Sequence, residues 1–184
     1  MAEWHALEPR NALRQWLCRE ASGGALETPA ERRYAYPISD EIPTTEEQWL
    51  ERLGKERYEI LRKAGTERPW SGEHNETKDS GMFICAGCGE PLFASDNKFD
   101  SGSGWPSFDR PVAEQSVTAV TDNSLGMTRT EVRCAKCDGH LGHVFDDGPR
   151  DTTGARFCIN SLSLDFKPQP DAADSDGAVS QDSD

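Results

Sequence analysis

The chain is poor in apolar residues and lacks any long hydrophobic run. Hydrophobic residues make up 35% of its 184 residues, while glycine, proline and acidic residues are common, so we expect part of the chain not to fold. No segment approaches the ~18 apolar residues of a membrane-spanning helix. The first twenty residues have no hydrophobic segment and contain Glu3, Glu8 and Glu20, a pattern typical of neither a secretory signal nor a transit peptide. These absences predict a cytoplasmic location and no membrane partner.

Positive charge is also scarce. The 20 Lys and Arg residues face 33 Asp and Glu residues, which gives a formal net charge of -13. A chain this acidic is repelled at long range by nucleic-acid phosphates and by anionic membranes. The charge therefore disfavours a nucleic-acid partner.

Composition divides the chain into three segments. Residues 1–44 contain a short helix-like stretch and a run rich in glycine and proline, and we interpret them as a partly flexible N-terminal extension. Residues 45–167 hold the periodic and cysteine-bearing segments and are predicted to form one domain. Residues 168–184 are acidic, carry no cation and show no periodicity, so we predict a disordered tail.

The predicted domain begins with helix and continues with short strands. Thr45 and Gln48 have the spacing of a capping box, Gly54 is expected to divide the following helix in two, and Gly65 to end the second part. Runs rich in Phe, Val, Thr and Cys separated by turn residues predict antiparallel strands. The candidate strands are Met82–Ile84, Val117–Thr121, Met127–Arg133 and Arg156–Phe166.

Two C-x-x-C pairs have the spacing of a metal site. Cys85 with Cys88, and Cys134 with Cys137, each follow a strand-like run and precede a turn. Two such pairs supply the four thiolates that structural zinc prefers, and a closed site of this kind supports folding rather than chemistry. The alternative is that one or both pairs are buried or redox-active cysteines. We predict one structural zinc ion and no organic cofactor.

Cys158 stands apart from the two pairs. If residues 156–160 alternate as a strand, Phe157 and Ile159 face the core, while Arg156, Cys158 and Asn160 share the other face. A neighbouring guanidinium favours the thiolate, which is the nucleophilic form of cysteine. A half-buried structural cysteine beside a surface arginine explains the same pattern, so this segment alone does not decide between the two.

Two further segments bear groups suited to chemistry. His140 and His143 follow the second cysteine pair, and an imidazole can donate a proton near neutral pH. Metal ligation and an ordinary surface position are the alternatives for this pair. Trp105 lies in a glycine-flanked turn, where an indole can line an apolar pocket instead of packing in the core.

Five segments follow one another along the chain, namely GTERPWSG, CAGCGEPLF, KFDSGSGWPSF, CAKCDGHLGHVFDDG and RFCINSLSL. Together they resemble the methionine sulfoxide reductase B family over about residues 45–167. The resemblance implies a mainly β fold of two antiparallel sheets, of the β-tent or Mss4-like kind, with short N-terminal helices and a structural zinc. It also implies thiol-dependent reduction of methionine R-sulfoxide, in oxidised proteins or free, as protein repair in the response to oxidative stress.

The resemblance assigns roles to individual positions. Cys158 matches the nucleophile that becomes a sulfenic acid, and His143 matches the principal proton donor, with His140 as a second imidazole. Asp147 matches an orienting acid, and Arg156 the arginine that lowers the pKa of the cysteine. The amide of Asn160 is expected to orient the substrate, and the rings of Trp105 and Phe145 to contact it.

One position departs from the family pattern. Many members carry a resolving cysteine where this chain has Ser103, and a serine cannot form the disulfide that regenerates the thiol. Either Cys18 takes this role through a disulfide with Cys158, or an external dithiol such as thioredoxin reduces the sulfenic acid directly. We slightly favour the second route, with a monomeric enzyme. The competing hypothesis for the whole chain is a zinc-ribbon-like protein-binding module without catalysis.

Overall fold

The computed structural model describes residues 41–169. This part is mainly β, with one helix, α1 (Glu46–Leu61), and nine strands. The strands are β1 (Gly81–Cys85), β2 (Pro91–Ala94), β3 (Lys98–Phe99), β4 (Ser107–Phe108), β5 (Val117–Asp122), β6 (Arg129–Cys134), β7 (His140–Phe145), β8 (Arg156–Ile159) and β9 (Leu164–Pro168). No helix within 41–169 combines the length and apolar character needed to cross a bilayer.

The strands form two antiparallel sheets, as predicted. The smaller sheet has the order β2-β1-β9, and the larger has the order β3-β4-β8-β7-β6-β5. Four buried phenylalanines join the two sheets, because Phe93 of β2 stacks on Phe108 of β4 at 4.4 Å between ring centroids and also contacts Phe157 of β8. Phe83 of β1 packs edge-on against Phe108 at 5.1 Å. The core therefore lies between the sheets and holds β8 in place.

Local signals in the sequence predict α1 well. The Thr45 hydroxyl accepts a hydrogen bond from the Gln48 N–H, and the Gln48 side chain accepts one from the Thr45 N–H, which completes the capping box. Gly54 has a left-handed φ of 68° and kinks the helix, as expected. The helix ends at Leu61, earlier than predicted. Gly65 follows in the turn, where its N–H binds the Glu59 carbonyl and a side chain would meet that oxygen at 2.8 Å.

The predicted strand Arg156–Phe166 is wrong in one respect. Residues 156–159 form β8 in the larger sheet and residues 164–168 form β9 in the smaller sheet, with a short 3₁₀ turn at Ser161–Ser163 between them. The chain thus changes sheets directly after Cys158.

The sequence analysis also missed β2, β3, β4 and β7. Both β3 and β4 have only two residues, and β7 is buried on both faces, so it shows no alternation.

Candidate active site and metal centre

Cys158 lies on β8 between two strands that bring polar side chains to the same face. It pairs with Ser107 on β4 and with His143 on β7, and directly opposed residues of antiparallel strands project to one side. Phe157 and Ile159 are buried on the other side, so the predicted alternation is confirmed from Arg156 to Ile159. Asn160, predicted on the same face as the thiol, is instead buried and lies beyond the end of β8. The thiol of Cys158 is partly accessible. The geometry therefore presents a nucleophilic group beside an imidazole.

Arg156 is held by a carboxylate rather than directed at the thiol alone. Its Nε donates to Asp147 Oδ1 at 2.8 Å and a terminal nitrogen donates to Oδ2 at 2.9 Å. This pair lowers the pKa of the Asp147 carboxyl. The guanidinium also lies over the ring of Phe145, 4.5 Å from its centroid. Phe145, predicted to contact the substrate, thus supports Arg156 from one ring face.

The thiol of Cys158 is less acidic than the sequence suggested. Burial raises its pKa, while a hydrogen bond with Ser103 and the charge of Arg156 lower it by less, and the Asp147 carboxylate raises it further. Arg156 does favour the thiolate, but burial outweighs its effect in the free site. Asp147 opposes the effect of Arg156 by a smaller amount, and strand alternation around Cys158 does not reveal this partner.

The two histidines are each paired with a carboxylate. His143 Nε2 lies 2.9 Å from Asp122 Oδ2, which also accepts from Arg129 at 2.7 Å. Hydrogen bonds from Ser124, and then from His143, lower the pKa of Asp122.

His140 Nδ1 lies 2.6 Å from Glu131 Oε1, and burial is the main cause that lowers the pKa of His140. The two imidazole rings meet edge-to-face, with centroids 5.5 Å apart. His143 keeps more contact with solvent than His140, with 13% and 5% of the side chain exposed.

Trp105 and Asn160 are linked through Glu67. Trp105 Nε1 donates to the Glu67 carbonyl at 3.2 Å, and the Glu67 N–H donates to Asn160 Oδ1 at 3.1 Å. The Asn160 amide nitrogen donates to the Leu141 carbonyl, and the whole residue is buried. Both polar groups of Asn160 are therefore bound to backbone in the free site. Asn160 connects the end of β8 to the loop that carries the indole.

Glu67 itself is a residue that the sequence analysis did not single out. Its carboxylate accepts the backbone N–H groups of Ser161 at 2.6 Å and Leu162 at 2.9 Å. It lies within GTERPWSG, a segment quoted above only for its resemblance. Asp122 and Glu131 were also missed. Only Glu131 had a usable signal, because it alternates with Arg129 and Arg133 along a strand-like run.

The four cysteines of the two C-x-x-C pairs form one buried cluster. Their sulfur atoms all lie within 4.8 Å of one another. The Cys85 and Cys137 sulfurs are 3.7 Å apart, and the Cys88 and Cys134 sulfurs are 3.6 Å apart. Thiolates about 2.3 Å from a central ion in a tetrahedron would be separated by about 3.8 Å. The cluster can therefore hold a metal ion, and its size and ligand type fit zinc.

Matching turns bring the two pairs together. The Gly89 N–H binds the Cys85 carbonyl at 2.8 Å, and the Asp138 N–H binds the Cys134 carbonyl at 2.9 Å. Gly89 and Asp138 both have left-handed φ angles, which reverse the chain directly after each second cysteine. One turn joins β1 to β2 and the other joins β6 to β7, so the cluster connects the two sheets. Cys18, the remaining cysteine, lies outside the described residues.

Comparisons with known proteins agree on one family. The SelR domain matches residues 53–168. The chain is 51% identical over 131 residues to the peptide methionine sulfoxide reductase MsrB of Chromohalobacter salexigens, covering 71% of this chain and 98% of that protein. It is 55% identical over 130 residues to the protein of the same name from Pseudomonas savastanoi pv. phaseolicola, with the same coverages of 71% and 98%. The Leifsonia xyli relative is 53% identical over 129 residues, which cover 70% of this chain and 93% of that protein.

Proposed function

The chain belongs to the peptide methionine sulfoxide reductase MsrB family, and from this premise we propose that it reduces the R epimer of methionine sulfoxide to methionine through Cys158. The observation that carries the proposal is the pairing of Cys158 with His143 across β7 and β8. The family match covers this pair as well as the cysteine cluster. A protein-binding module without catalysis would explain the cluster alone.

In the first step the Cys158 thiolate attacks the electrophilic sulfur of the sulfoxide. The sulfoxide oxygen is protonated and passes to Cys158, whose sulfur is oxidised to a sulfenic acid, while the substrate sulfur is reduced to the thioether of methionine. Trp105 forms an apolar wall for the substrate methyl group. Its indole is fixed for this role because its N–H is held by the Glu67 carbonyl.

His143 is the proton donor in this proposal. Asp122 accepts from its Nε2, so Nδ1 is the nitrogen left to serve the sulfoxide oxygen, and it delivers the proton from the doubly protonated ring. His140 lies behind it as a second imidazole, and its lowered pKa keeps it neutral near pH 7. Asp147 orients Arg156 through their two hydrogen bonds. Asn160 acts as a positioning residue, because it holds the Glu67 loop against the end of β8.

Regeneration of the thiol requires a reductant. Ser103 Oγ lies 3.8 Å from the Cys158 sulfur, at the place where a resolving thiol would stand. We propose that one thiol of an external dithiol, such as thioredoxin, attacks the sulfenic sulfur and releases water, and that the second thiol then frees Cys158 by forming a disulfide within the reductant. A disulfide between Cys18 and Cys158 is the internal alternative.

The metal in this proposal is one structural zinc ion held by Cys85, Cys88, Cys134 and Cys137. Bound there, zinc would hold the four thiolates in a closed tetrahedral site and link the two sheets. With all positions filled by thiolates, the cluster takes no part in sulfoxide reduction.

We further propose that residues 45–167 form the catalytic domain of a monomeric cytoplasmic repair enzyme that acts in the oxidative stress response, with residues 1–44 and 168–184 as tails.

Separate assays on the R and S epimers test this function. With a small dithiol as reductant, we expect turnover of methionine R-sulfoxide, much slower turnover of the S epimer, and loss of activity in Cys158→Ser with its zinc content unchanged. Cys18→Ser is the matched control, since under the favoured route it keeps full activity. Full dithiol-dependent activity in Cys158→Ser would contradict the proposal.

A further inference from the structure

Ser103 lies at the end of a row of three hydroxyl groups that leads to the active-site thiol. Ser103 Oγ is 3.8 Å from the Cys158 sulfur, and Ser101 Oγ is 2.8 Å from Ser103 Oγ. Ser107 Oγ is in turn 2.7 Å from Ser101 Oγ. The row therefore runs from the buried end of β4 to the nucleophile.

Counting protons gives the direction of these hydrogen bonds. Each serine hydroxyl has a single proton to donate. The Ser107 hydroxyl has two acceptors in reach, the Trp105 carbonyl at 3.2 Å and Ser101 Oγ at 2.7 Å, and it donates along the shorter contact to Ser101. Ser101 Oγ also accepts the backbone N–H of Ser103 at 3.3 Å and donates its own proton to Ser103 Oγ. Since Ser103 Oγ receives that proton, its own proton is left to point at the remaining neighbour, the Cys158 sulfur.

We propose that Ser103 is a catalytic residue that donates a hydrogen bond to the thiolate of Cys158, with Ser101 holding its hydroxyl in the donating orientation. A hydrogen bond to the charged form favours that form, and bonds to ionised acceptors are the stronger ones. The proposal rests on the proposed role of Cys158 as nucleophile. It makes Ser103 an activating group rather than merely the place of a lost resolving cysteine.

The other charged and polar groups near the thiol, Arg156 and His143, have hydrogen-bond partners of their own. Arg156 donates two hydrogen bonds to Asp147, and it also favours the thiolate of Cys158. His143, opposite Cys158 on β7, is bound at Nε2 by Asp122. Burial of Cys158 opposes ionisation, while the Ser103 hydrogen bond and, in two separate contributions, Arg156 favour it.

The test is the pH dependence of Cys158 alkylation by iodoacetamide in the full-length, zinc-loaded protein. A Cys18→Ser background leaves Cys158 as the only cysteine outside the cluster. In Ser103→Ala we expect the alkylation profile to move to higher pH, so that the rate at neutral pH falls roughly tenfold, the usual effect of losing one hydrogen bond to a charged group. Ser103→Thr keeps a hydroxyl and is expected to stay near the parent.

Ser80→Ala is the matched control, because Ser80 is exposed and its side chain makes no hydrogen bond in the described part of the chain. Its profile should equal that of the parent. An unshifted profile in Ser103→Ala, or an equal shift in Ser103→Thr, would overturn the proposal. Alkylation requires no sulfoxide, so a protein that shows the Ser103 shift but reduces no sulfoxide would contradict only the proposed function.

Discussion

In the cluster of Cys85, Cys88, Cys134 and Cys137, the four sulfur atoms lie within 4.8 Å of one another. Cys158 instead has the Ser103 hydroxyl and the Arg156 guanidinium near its thiol and is paired with His143 across the sheet. Each cluster pair has its first cysteine at the end of a strand and its second in the turn that follows, before a left-handed residue, and all four are buried. Cys158 lies within a regular strand and is partly accessible. The same residue type is therefore suited to hold a metal in one region and to react in the other, because backbone geometry and neighbours differ.

The two regions also contribute differently to the fold. The cluster joins turns from both sheets, so a metal bound there links parts of the chain that are far apart in sequence. Cys158 is positioned instead by the core residues beside it in β8. Changes at the cluster should consequently affect folding, and changes around Cys158 should affect the reaction.

The largest expected effect is that of Cys134→Ser. Binding of structural zinc contributes about 10–16 kcal/mol in small zinc-binding peptides, which is comparable to the whole stability of a domain. We expect the variant to lose zinc and to unfold, as measured by metal content and thermal denaturation. Cys158→Ser is the control and should keep both zinc and fold. A stable, zinc-free Cys134→Ser protein with normal activity would show that the cluster has no such role.

On the other side of the comparison, His143→Ala should slow the reaction without unfolding the domain. Loss of a general acid usually lowers the rate by about 10²–10⁴-fold. The measurement is the rate of the reduction step in a single turnover, with the melting temperature followed in parallel. His140→Ala, whose imidazole lies behind His143, is the matched comparison and should lose less. An unchanged rate in His143→Ala would move the proton donor to His140 or to water.

The smallest expected effect concerns stability in mild acid. Because burial lowers the pKa of His140, the unfolded chain binds more protons than the folded chain below the ordinary histidine pKa of about 6.5. The free energy of unfolding should therefore fall as the pH drops through that value. Denaturant titrations at about pH 7.5 and about pH 5.5 measure this fall in both the parent and His140→Asn. The fall should be smaller in His140→Asn, by about 1 kcal/mol at most. Equal losses would mean that His140 does not contribute.

Local features of the fold were predictable from the sequence, while contacts between distant segments were not. The capping box of Thr45 and Gln48 and the kink at Gly54 depend on residues a few positions apart. The alternation around Cys158 is equally local, and it was confirmed. β7 escaped prediction because strands cover it on both edges and its residues are buried on both faces.

The same limit applies to the candidate site. The cysteine cluster was predictable because C-x-x-C spacing carries its own geometry. Three pairings join segments that only the folded chain brings together. They are Asp147 with Arg156, Asp122 with His143, and Glu67 with the residues after β8. The pKa of Cys158 was misjudged because burial, which only the folded chain imposes, raises this pKa and is its largest single influence, ahead of Ser103, Arg156 and Asp147.

The most direct test of the contrast between the two regions is to locate the sulfenic acid. After a single turnover with methionine R-sulfoxide and no reductant, the protein is treated with dimedone and its cysteine peptides are analysed by mass spectrometry. Our account predicts a dimedone adduct on Cys158 and none on the four cluster cysteines. An adduct on a cluster cysteine, or conversion of sulfoxide to methionine with Cys158 still a free thiol, would contradict it.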